Sequence, residues 1–306
     1  MKILIISSNL IGDTILSTGV VDYFQKKYPQ AKFTFLIGPS AGQIYNNFQS
    51  KQKIILIKKK IFNLHWVDMY LNVFNIKWNI IIDFRSSLLS YLLFNKKKYI
   101  FKKQKNINHI DQLKNFFKLK NLSLSVATNQ SEEINAIQTL RNKYRYVVLF
   151  PGGNWKPKIW PTNYFNQLII LLNNQFKDLK FIIVGSSKEQ SIYFNKIKKD
   201  LPNNLFINLM GETLSSTSAY MKKSNLFIGN DSGLMHLSFA SNLSTIGLFG
   251  PTNDIIYGHR NHKSFVIRTS ESYEYFKNIN IIQNKSYMLS IKPKYILDVI
   301  IKNKLL

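Results

Sequence analysis

The sequence predicts an α/β protein built from two doubly wound units, and three observations support this. Short apolar segments alternate with longer helix-like segments, an order that is typical of βαβ units around a parallel sheet. The alternation restarts near the middle of the chain, after a polar stretch. The 306 residues have a hydrophobic fraction of 45%, enough to bury two cores of about 150 residues each.

The first unit is predicted to comprise residues 1–145. Its apolar strands are each followed by a segment in which apolar residues have helical spacing. Because parallel strands end at one edge of their sheet, the turns after them are expected to lie together. In chain order we predict strands at 3–6, 32–36, 53–57 and 78–83, and helices at 14–27, 41–48, 88–94 and 133–144.

A polar segment interrupts this pattern at 121–133 and predicts a loop close to the domain boundary. The second unit, residues 146–306, restarts with an apolar strand. We predict strands at 146–150, 181–184, 206–209 and 226–228, helices at 165–174, 190–198 and 234–240, and an amphipathic closing helix at about 293–302.

Composition excludes several classes of protein. The chain has no cysteine, which excludes thiolate metal sites and a secreted domain held by disulfides. The apolar start, Met1 to Ile6, is too short for a signal-peptide core. No apolar run approaches the roughly 18 residues that would span a bilayer. We therefore expect a soluble, cytoplasmic protein.

The chain is strongly basic, with 42 Lys and Arg against 16 Asp and Glu and a formal net charge of +26. Such a charge suits nucleic acid, an anionic membrane face or a phosphorylated substrate. Lysine is abundant throughout and no nucleic-acid-binding motif accompanies it, so biased overall composition is a strong alternative explanation. Lys58 to Lys60 and Lys96 to Lys105 are dense enough to form positive patches.

The most informative stretch follows the strand at 226–228. There the turn Asn230-Asp231-Ser232-Gly233 leads into a short helix, whose first turn exposes unpaired N–H groups that bind anions. His236 lies one turn further along the same face, where it can approach a phosphate or a sugar hydroxyl. Two alternatives stay open, namely Asp231 or Ser232 as an ordinary helix cap and His236 as a buried core residue.

A carboxylate follows the first strand of the first unit. Gly12 and Asp13 open the helix that runs to residue 27, and an acid there is expected for capping alone. Asp13 also lies at the carboxyl edge of the sheet, where Gly12 leaves the backbone open to a ligand. An ionised aspartate can accept a proton from an attacking alcohol, so Asp13 is a candidate general base. Arg85 follows the strand at 78–83 and is predicted at the same edge.

Three turns of the second unit are further candidates for ligand binding. The Gly/Pro-rich loop 151–161 lets the backbone approach a ligand, and Lys156 or Lys158 supplies a positive charge that suits a phosphate. The turns at 184–189 and 210–213 could line a nucleoside pocket, with Glu189, Gly211 and Thr213 as candidate residues. The sequence has no Walker A, Gly-x-Gly-x-x-Gly or Asp-x-Asp motif, which weighs against nucleotide hydrolysis, hydride transfer and a metal-held sugar nucleotide.

Taken in order, these motifs resemble glycosyltransferase family nine, the lipopolysaccharide heptosyltransferases. The resemblance covers most of the chain and implies two facing Rossmann-like domains of GT-B type with a cleft between them. It implies inverting, metal-independent transfer of a heptose or related sugar from an ADP-sugar to a lipopolysaccharide inner-core acceptor, without a cofactor. The motifs that carry it are Ile3-Leu-Ile with Gly12-Asp13-Thr14 and Tyr28-Pro29, Lys158-Ile-Trp-Pro161, Gly211-x-Thr213, Gly229-Asn-Asp-Ser-Gly-x-x-His236 and Phe249-Gly-Pro-Thr252.

The resemblance also implies roles for single residues. Asp13 would deprotonate the acceptor, Lys158 would contact the donor phosphates, and Asp231 would hold hydroxyls of the transferred sugar. The first domain would bind acceptor and the second the nucleotide sugar. Around the pyrophosphate would lie Ser232, Gly233 and His236. Phosphorylated Kdo or lipid A groups of the acceptor would suit four cationic residues of the first domain, Arg85, Lys96, Lys97 and Lys98.

Two other functions stay open from the sequence, namely a non-catalytic sugar-nucleotide-binding module and a basic nucleic-acid-binding protein. The enzyme hypothesis predicts a nucleotide-sugar donor and a phosphorylated lipopolysaccharide core or lipid A acceptor as partners, with no nucleic acid. A positively charged face also predicts peripheral contact with the anionic inner face of the inner membrane, since each clustered lysine adds about 1 kcal/mol of attraction.

Overall fold

The computed structural model describes residues 1–58, 60–199 and 201–306. They form two compact units, Met1–Asn129 and Gln130–Leu306. Of the lysines 58–60 predicted to form a positive patch, Lys59 lies outside the described residues.

The first unit is a parallel sheet with helices on its faces. Its strands are β1 (Lys2–Ile6), β2 (Lys32–Ile37), β3 (Lys51–Leu56), β4 (Trp78–Asp83) and β5 (Asn95–Ile100). Its helices are α1 (Ile11–Lys27), α2 (Pro39–Gly42), α3 (His65–Leu71), α4 (Leu89–Leu92) and α5 (His109–Phe117), with short 3₁₀ turns at Gln43–Tyr45 and Ile61–Asn63.

The strand order of the first unit is β3-β2-β1-β4-β5, and every neighbouring pair is parallel. This is the 3-2-1-4-5 order of a Rossmann-like sheet. The chain proceeds from β1 in one direction and returns to β4 on the other side, which opens a crevice at the carboxyl ends of those two strands. Ile6 pairs with Asp83 in register, so the turns after β1 and β4 start side by side.

The second unit repeats this plan with one more strand. Its strands are β6 (Arg145–Phe150), β7 (Leu179–Gly185), β8 (Phe206–Met210), β9 (Leu226–Asn230), β10 (Ser244–Phe249) and β11 (Ser264–Arg268). Its helices are α6 (Gln130–Thr139), α7 (Thr162–Gln175), α8 (Asn195–Lys198), α9 (Leu214–Met221), α10 (Gly233–Ala240), α11 (Asp254–Tyr257), α12 (Tyr273–Lys277) and α13 (Pro293–Lys302).

The order of the second sheet is β11-β10-β9-β6-β7-β8, again entirely parallel. Its reversal point lies between β6 and β9. The central strands β6 and β9 are buried from Tyr146 to Phe150 and from Leu226 to Asn230, because helices cover both faces of the sheet. Trp160 is fully buried here and donates its indole N–H to the carbonyl of Ile291 at 2.9 Å. The closing helix α13 packs on α7.

The structure confirms the predicted fold class of two parallel α/β sheets and adds corrections to single elements. The helix predicted at 41–48 is α2 followed by a 3₁₀ turn, and the helix predicted at 88–94 is the single turn α4. The division between the units falls earlier than the predicted boundary at 145, because α6 packs on α9 of the second unit. That the two domains face each other across a cleft stays a prediction. Within the described residues, no helix is both long and apolar enough to cross a membrane.

Candidate active site

Asp13 lies in the first turn of α1, directly beyond the carboxyl end of β1. Its side chain is 14% exposed. The Lys103 ammonium lies 2.9 Å from one carboxylate oxygen, and the Ser8 hydroxyl donates to the other at 3.3 Å. A carboxylate at a helix N-terminus is favoured by the helix dipole, and the adjacent ammonium adds a second favourable interaction with its negative charge.

Asp13 opens onto a cavity of about 340 Å³ within the first unit. The cavity lies at the carboxyl ends of β1, β4 and β5, where the strand order places the crevice of this sheet. Its wall combines one carboxylate, two cations, a histidine and two aromatic rings: Asp13, Arg85, Lys103, His109, Phe84 and Phe101. Such a wall can bind a polar, negatively charged molecule beside a group able to accept a proton.

Arg85 is positioned by the end of β4. The buried carboxylate of Asp83 accepts the backbone N–H of Arg85 at 2.8 Å and the N–H and hydroxyl of Ser87 at 2.8 and 2.6 Å. The Arg85 guanidinium lies 5.3 Å from the centroid of the Trp66 ring of α3. Its Nη1 is buried and has no hydrogen-bond partner among the described residues, and burial lowers the pKa of the guanidinium. A buried guanidinium nitrogen of this kind suits an anionic ligand.

Lys103 and His109 line this cavity but were not among the candidate residues predicted from the sequence. His109 opens α5, and burial lowers its pKa to about 4, assisted by the positive charge of Lys103 and opposed by Asp13. The imidazole is therefore neutral at neutral pH. Both residues follow β5, a strand that the sequence did not predict.

The lysines predicted on the acceptor side do not line the cavity. Lys96, Lys97 and Lys98 are exposed and lie within the edge strand β5, before its carboxyl end. Lys97 lies 5.0 Å from the ring centroid of Tyr99, and Lys98 lies 4.3 Å from that of Tyr91. Their contact with an acceptor stays a prediction, whereas Arg85 is brought together with Asp13.

In the second unit, Lys158 and Asp231 come together at the reversal point between β6 and β9. Lys158 ends a 3₁₀ turn, Lys156–Lys158, in the loop after β6, while Lys156 of the same turn is exposed. The Lys158 ammonium lies 3.8 Å from the carboxylate of Asp231, which follows β9. Burial raises the pKa of Asp231, and Lys158 and the Thr252 hydroxyl oppose that rise.

Ser232 and Gly233 form the start of helix α10. The Ser232 hydroxyl caps the helix by accepting the backbone N–H of Met235 at 3.4 Å, so the capping alternative is confirmed. An accepting hydroxyl keeps its own proton to donate. The N–H groups of Gly233 and Leu234 have no partner inside the helix, since they belong to its first turn. Capping and anion binding are therefore compatible here.

His236 is buried and contacts a second histidine, His259, which was not predicted from the sequence. Its Nδ1 lies 2.7 Å from Nε2 of His259. The His259 ring stacks on Phe239 with centroids 3.9 Å apart, and burial lowers the pKa of His259 to about 3. The alternative reading of His236 as a buried core residue is therefore confirmed, and its Nδ1 has a hydrogen-bond partner in the core.

Two polar side chains hold the glycine-rich loop after β6. The buried amide of Asn230 donates to the carbonyls of Pro151 and Gly152 at 3.3 and 2.9 Å, and its oxygen accepts the backbone N–H of Trp160 at 3.0 Å. Glu189 accepts the Gly153 N–H at 2.8 Å with one carboxylate oxygen. Its other oxygen accepts the N–H and hydroxyl of Ser186. Glu189, predicted to bind donor, thus braces this loop.

Gly211 and Thr213 follow β8 at the same edge of the sheet. Gly211 has a φ of +93°, which favours glycine, and its N–H donates to the Gly185 carbonyl at 2.8 Å. The Thr213 hydroxyl caps α9 by accepting the Ser216 N–H at 3.1 Å. Both residues shape the turn, and their contact with a donor stays a prediction.

Arg268 and Asp254, which were not predicted from the sequence, hold the loop 250–252 beside Asp231. Arg268 donates to the carbonyls of Gly250 and Thr252 at 2.8 and 2.9 Å and to Asp254 at 2.8 Å. Asp254 also pairs with Arg260. Within the described ranges there is no group of three or more His, Asp or Glu that could hold a metal ion; metal independence stays a prediction.

The fold and these sites define a class of protein. Two parallel Rossmann-like sheets, each with charged groups at its reversal point, characterise enzymes that bind nucleotide-linked substrates. The solved structure of a family 9 glycosyltransferase from Veillonella parvula superposes with a TM-score of 0.80 at 20% identity over 99% of this chain and 97% of that one. The E. coli ADP-heptose lps heptosyltransferase II superposes with a TM-score of 0.73 at 18% identity over 100% and 99%.

Sequence comparison gives the family. Residues 83–285 match the model of glycosyltransferase family 9 (heptosyltransferase). The lipooligosaccharide heptosyltransferase 2 of Campylobacter jejuni is 26% identical over 270 residues, which cover 82% of each chain. The chain therefore belongs to glycosyltransferase family 9, and it is a glycosyltransferase.

Proposed function

We propose that this glycosyltransferase transfers a heptose or a related sugar from an ADP-sugar to an inner-core saccharide of lipopolysaccharide, with inversion at the anomeric carbon and without a metal ion. The observation that carries the proposal is the Asp13 carboxylate, which lines a cationic cavity at the reversal point of the first sheet. The similar proteins are named ADP-heptose lps heptosyltransferase II and lipooligosaccharide heptosyltransferase 2, and these names support the donor and acceptor classes.

Asp13 is proposed as the general base. As the acceptor hydroxyl attacks the anomeric carbon, its proton passes to the Asp13 carboxylate, and the bond from that carbon to the diphosphate oxygen breaks. Attack from the face opposite the diphosphate inverts the configuration. Arg85 and Lys103 would hold carboxylate or phosphate groups of the acceptor, because both cations lie in the same cavity wall.

The leaving diphosphate requires positive charge if no metal ion neutralises it. Lys158, the Ser232 hydroxyl and the first N–H groups of α10 can supply that stabilisation at the reversal point of the second sheet. Asp231 beside them would accept hydrogen bonds from hydroxyls of the transferred sugar. Gly211, Thr213 and Glu189 would shape the nucleoside side of this donor site.

The proposed partners are a nucleotide-sugar donor and a phosphorylated core or lipid A acceptor, and we propose no nucleic acid partner. Family membership does not favour a non-catalytic module or a nucleic-acid-binding protein. We further propose that the enzyme acts in the cytoplasm, with peripheral contact at the inner face of the inner membrane.

The first experiment is equilibrium binding of ADP-heptose beside UDP-, GDP- and CMP-linked sugars in chelator. We expect preference for the ADP-sugar and at least about tenfold weaker binding for Lys158→Ala, since a hydrogen bond to a charged group contributes about 1.5–3 kcal/mol. Lys156→Ala is the matched control, because it removes an exposed lysine from the same turn. Equal loss in both variants, or preference for another nucleotide, would overturn the donor assignment.

The second experiment tests the base. Asp13→Asn should lower kcat by at least about 10²-fold and leave the dissociation constant of the donor unchanged. Asp111→Asn on α5 is the control, since that carboxylate is 58% exposed. Full turnover in Asp13→Asn would refute the assignment of Asp13.

A further inference from the structure

An exposed apolar face of the first unit has no part in the proposed reaction. Helices α3 and α4 contact each other, and Met69 and Leu89 on their inner sides pack in one core cluster. The outer sides are apolar as well. We call this outer face the α3–α4 surface and define it by six large side chains that are 53–78% exposed: Leu64, Val67, Leu71, Leu88, Leu92 and Phe94.

The spacing of these residues makes the surface continuous along each helix. Leu64, Val67 and Leu71 recur at intervals of three and four, and Leu88 and Leu92 are four apart, so each set forms a stripe. The solvent side of a surface helix normally carries polar residues. A contiguous apolar patch that faces solvent instead marks an interaction surface.

The segment that carries this surface is basic. From residue 60 to 98 the sequence has five lysines and one arginine but only two acidic residues. Of those two, Asp83 is buried and Asp68 is paired with Lys60. Lys98 pairs in register with Ile81, a member of the cluster under α4, and its ammonium lies 4.3 Å from the ring centroid of Tyr91 in α4. Lys96 alternates onto the same face of β5.

We propose that the α3–α4 surface docks on a lipid bilayer that contains anionic lipids. Its Leu, Val and Phe side chains would enter the boundary between headgroups and acyl chains, and Lys96 and Lys98 would contact the anionic headgroups. A second copy of the chain fits this surface poorly. Two such faces would bring identical lysine rims together, and each chain carries a net charge of +26.

A contact between α3 and Arg85 connects this surface to the cavity of Asp13. Trp66 of α3 packs against the guanidinium of Arg85, which lines that cavity. Docking would therefore hold the cavity close to the membrane, where a saccharide with a lipid anchor presents its sugar. That use of the surface rests on the proposed function, and binding of the bilayer by the α3–α4 surface deepens the membrane contact proposed there.

The test is flotation of the full chain with phosphatidylglycerol-containing vesicles and with pure phosphatidylcholine vesicles, neither of which contains acceptor. We expect the wild type to bind the anionic vesicles preferentially. Replacing three exposed residues, Val67→Ser, Leu71→Ser and Leu92→Ser, should lower the partition coefficient at least about tenfold. The matched control is a triple variant at exposed apolar positions of the second unit, Ile137→Ser, Ile170→Ser and Ile301→Ser, which should bind like the wild type.

A second pair of variants separates the contribution of charge to vesicle binding from that of apolar insertion. Lys96→Glu with Lys98→Glu should weaken binding at low salt, and Lys302→Glu with Lys304→Glu should weaken it less. The variant Val67→Ser, Leu71→Ser and Leu92→Ser should transfer sugar to an acceptor without acyl chains as the wild type does. This transfer assay reports on folding and on the proposed function independently of membrane binding. Equal flotation of the two Ser triple variants, absence of wild-type binding, or a wild-type dimer that the first triple variant dissociates would each overturn the proposal.

Discussion

His259 makes the stability of the second unit depend on pH. Burial lowers its pKa to about 3 from the ordinary histidine value of 6.5, so between these values the unfolded chain binds a proton that the folded chain excludes. Stability therefore falls as the pH falls below about 6.5, by about 1.36 kcal/mol per pH unit for one group. At pH 4.5 the loss from His259 amounts to about 2.7 kcal/mol relative to neutral pH.

The variant His259→Phe isolates this loss. Phenylalanine keeps a ring against Phe239 but cannot titrate, and it removes the contact with His236 at every pH. We expect the free energy of unfolding of the variant to lie below that of the wild type at pH 7.5, and the difference to shrink by about 2.7 kcal/mol at pH 4.5.

Urea unfolding followed by tryptophan fluorescence from pH 4.5 to 7.5 measures both curves. His109, whose pKa is lowered to about 4, contributes to the pH dependence of both proteins and cancels in the comparison. His262→Phe serves as the control, because His262 is exposed and this variant should follow the wild-type curve. A constant difference between wild type and His259→Phe over the whole range would refute the reasoning.

Three further changes test the sites. Lys103→Met should lower kcat/KM for the acceptor about tenfold without changing donor affinity, whereas the exposed neighbour Lys102→Met should not; equal effects on steady-state kinetics would contradict this. Gly152→Ala places a Cβ 2.1 Å from a Glu189 carboxylate oxygen, so Glu189 must move away from the Gly153 N–H that it accepts and ADP-sugar binding in calorimetry should weaken; unchanged affinity would contradict a role of this brace in donor binding. Asn230→Ala leaves buried backbone groups unpaired and should cost about 2–3 kcal/mol in urea unfolding, and a loss below about 0.5 kcal/mol would contradict it.

Most strands of the two sheets could be predicted from their continuous apolar residues, but the interior strand β10 and two edge strands, β5 and β11, were not. β5 is Asn-Lys-Lys-Lys-Tyr-Ile, and its exposed lysines break the apolar pattern. β11 lies at the edge of the other sheet and follows a polar segment. An edge strand can be polar because one side faces solvent. Lys103 and Arg268 were missed for this reason, since each lies at or beyond the end of an edge strand.

In the candidate site, too, residues next to a recognisable strand could be predicted, whereas contacts between distant parts of the chain could not. Asp13, Arg85 and Asp231 could be placed at the carboxyl edges because each directly follows a recognisable strand. Lys103, the cation that pairs with Asp13, is ninety residues away in the sequence. The sequence therefore indicated which residue types carry the chemistry, whereas the charges that neighbour them depend on the order of strands in the folded sheet.

The contact between His236 and His259 determines which nitrogen of His236 carries its proton. Both rings are buried, and the low pKa of His259 keeps that ring neutral. The Nδ1 of His259 has no hydrogen-bond partner among the described residues. If that nitrogen carried the proton, a buried N–H donor would be left unpaired, which costs more than an unpaired acceptor. The proton of His259 therefore lies on Nε2 and is donated to Nδ1 of His236. This leaves the proton of His236 on its own Nε2, the form that can donate a hydrogen bond to a phosphate oxygen.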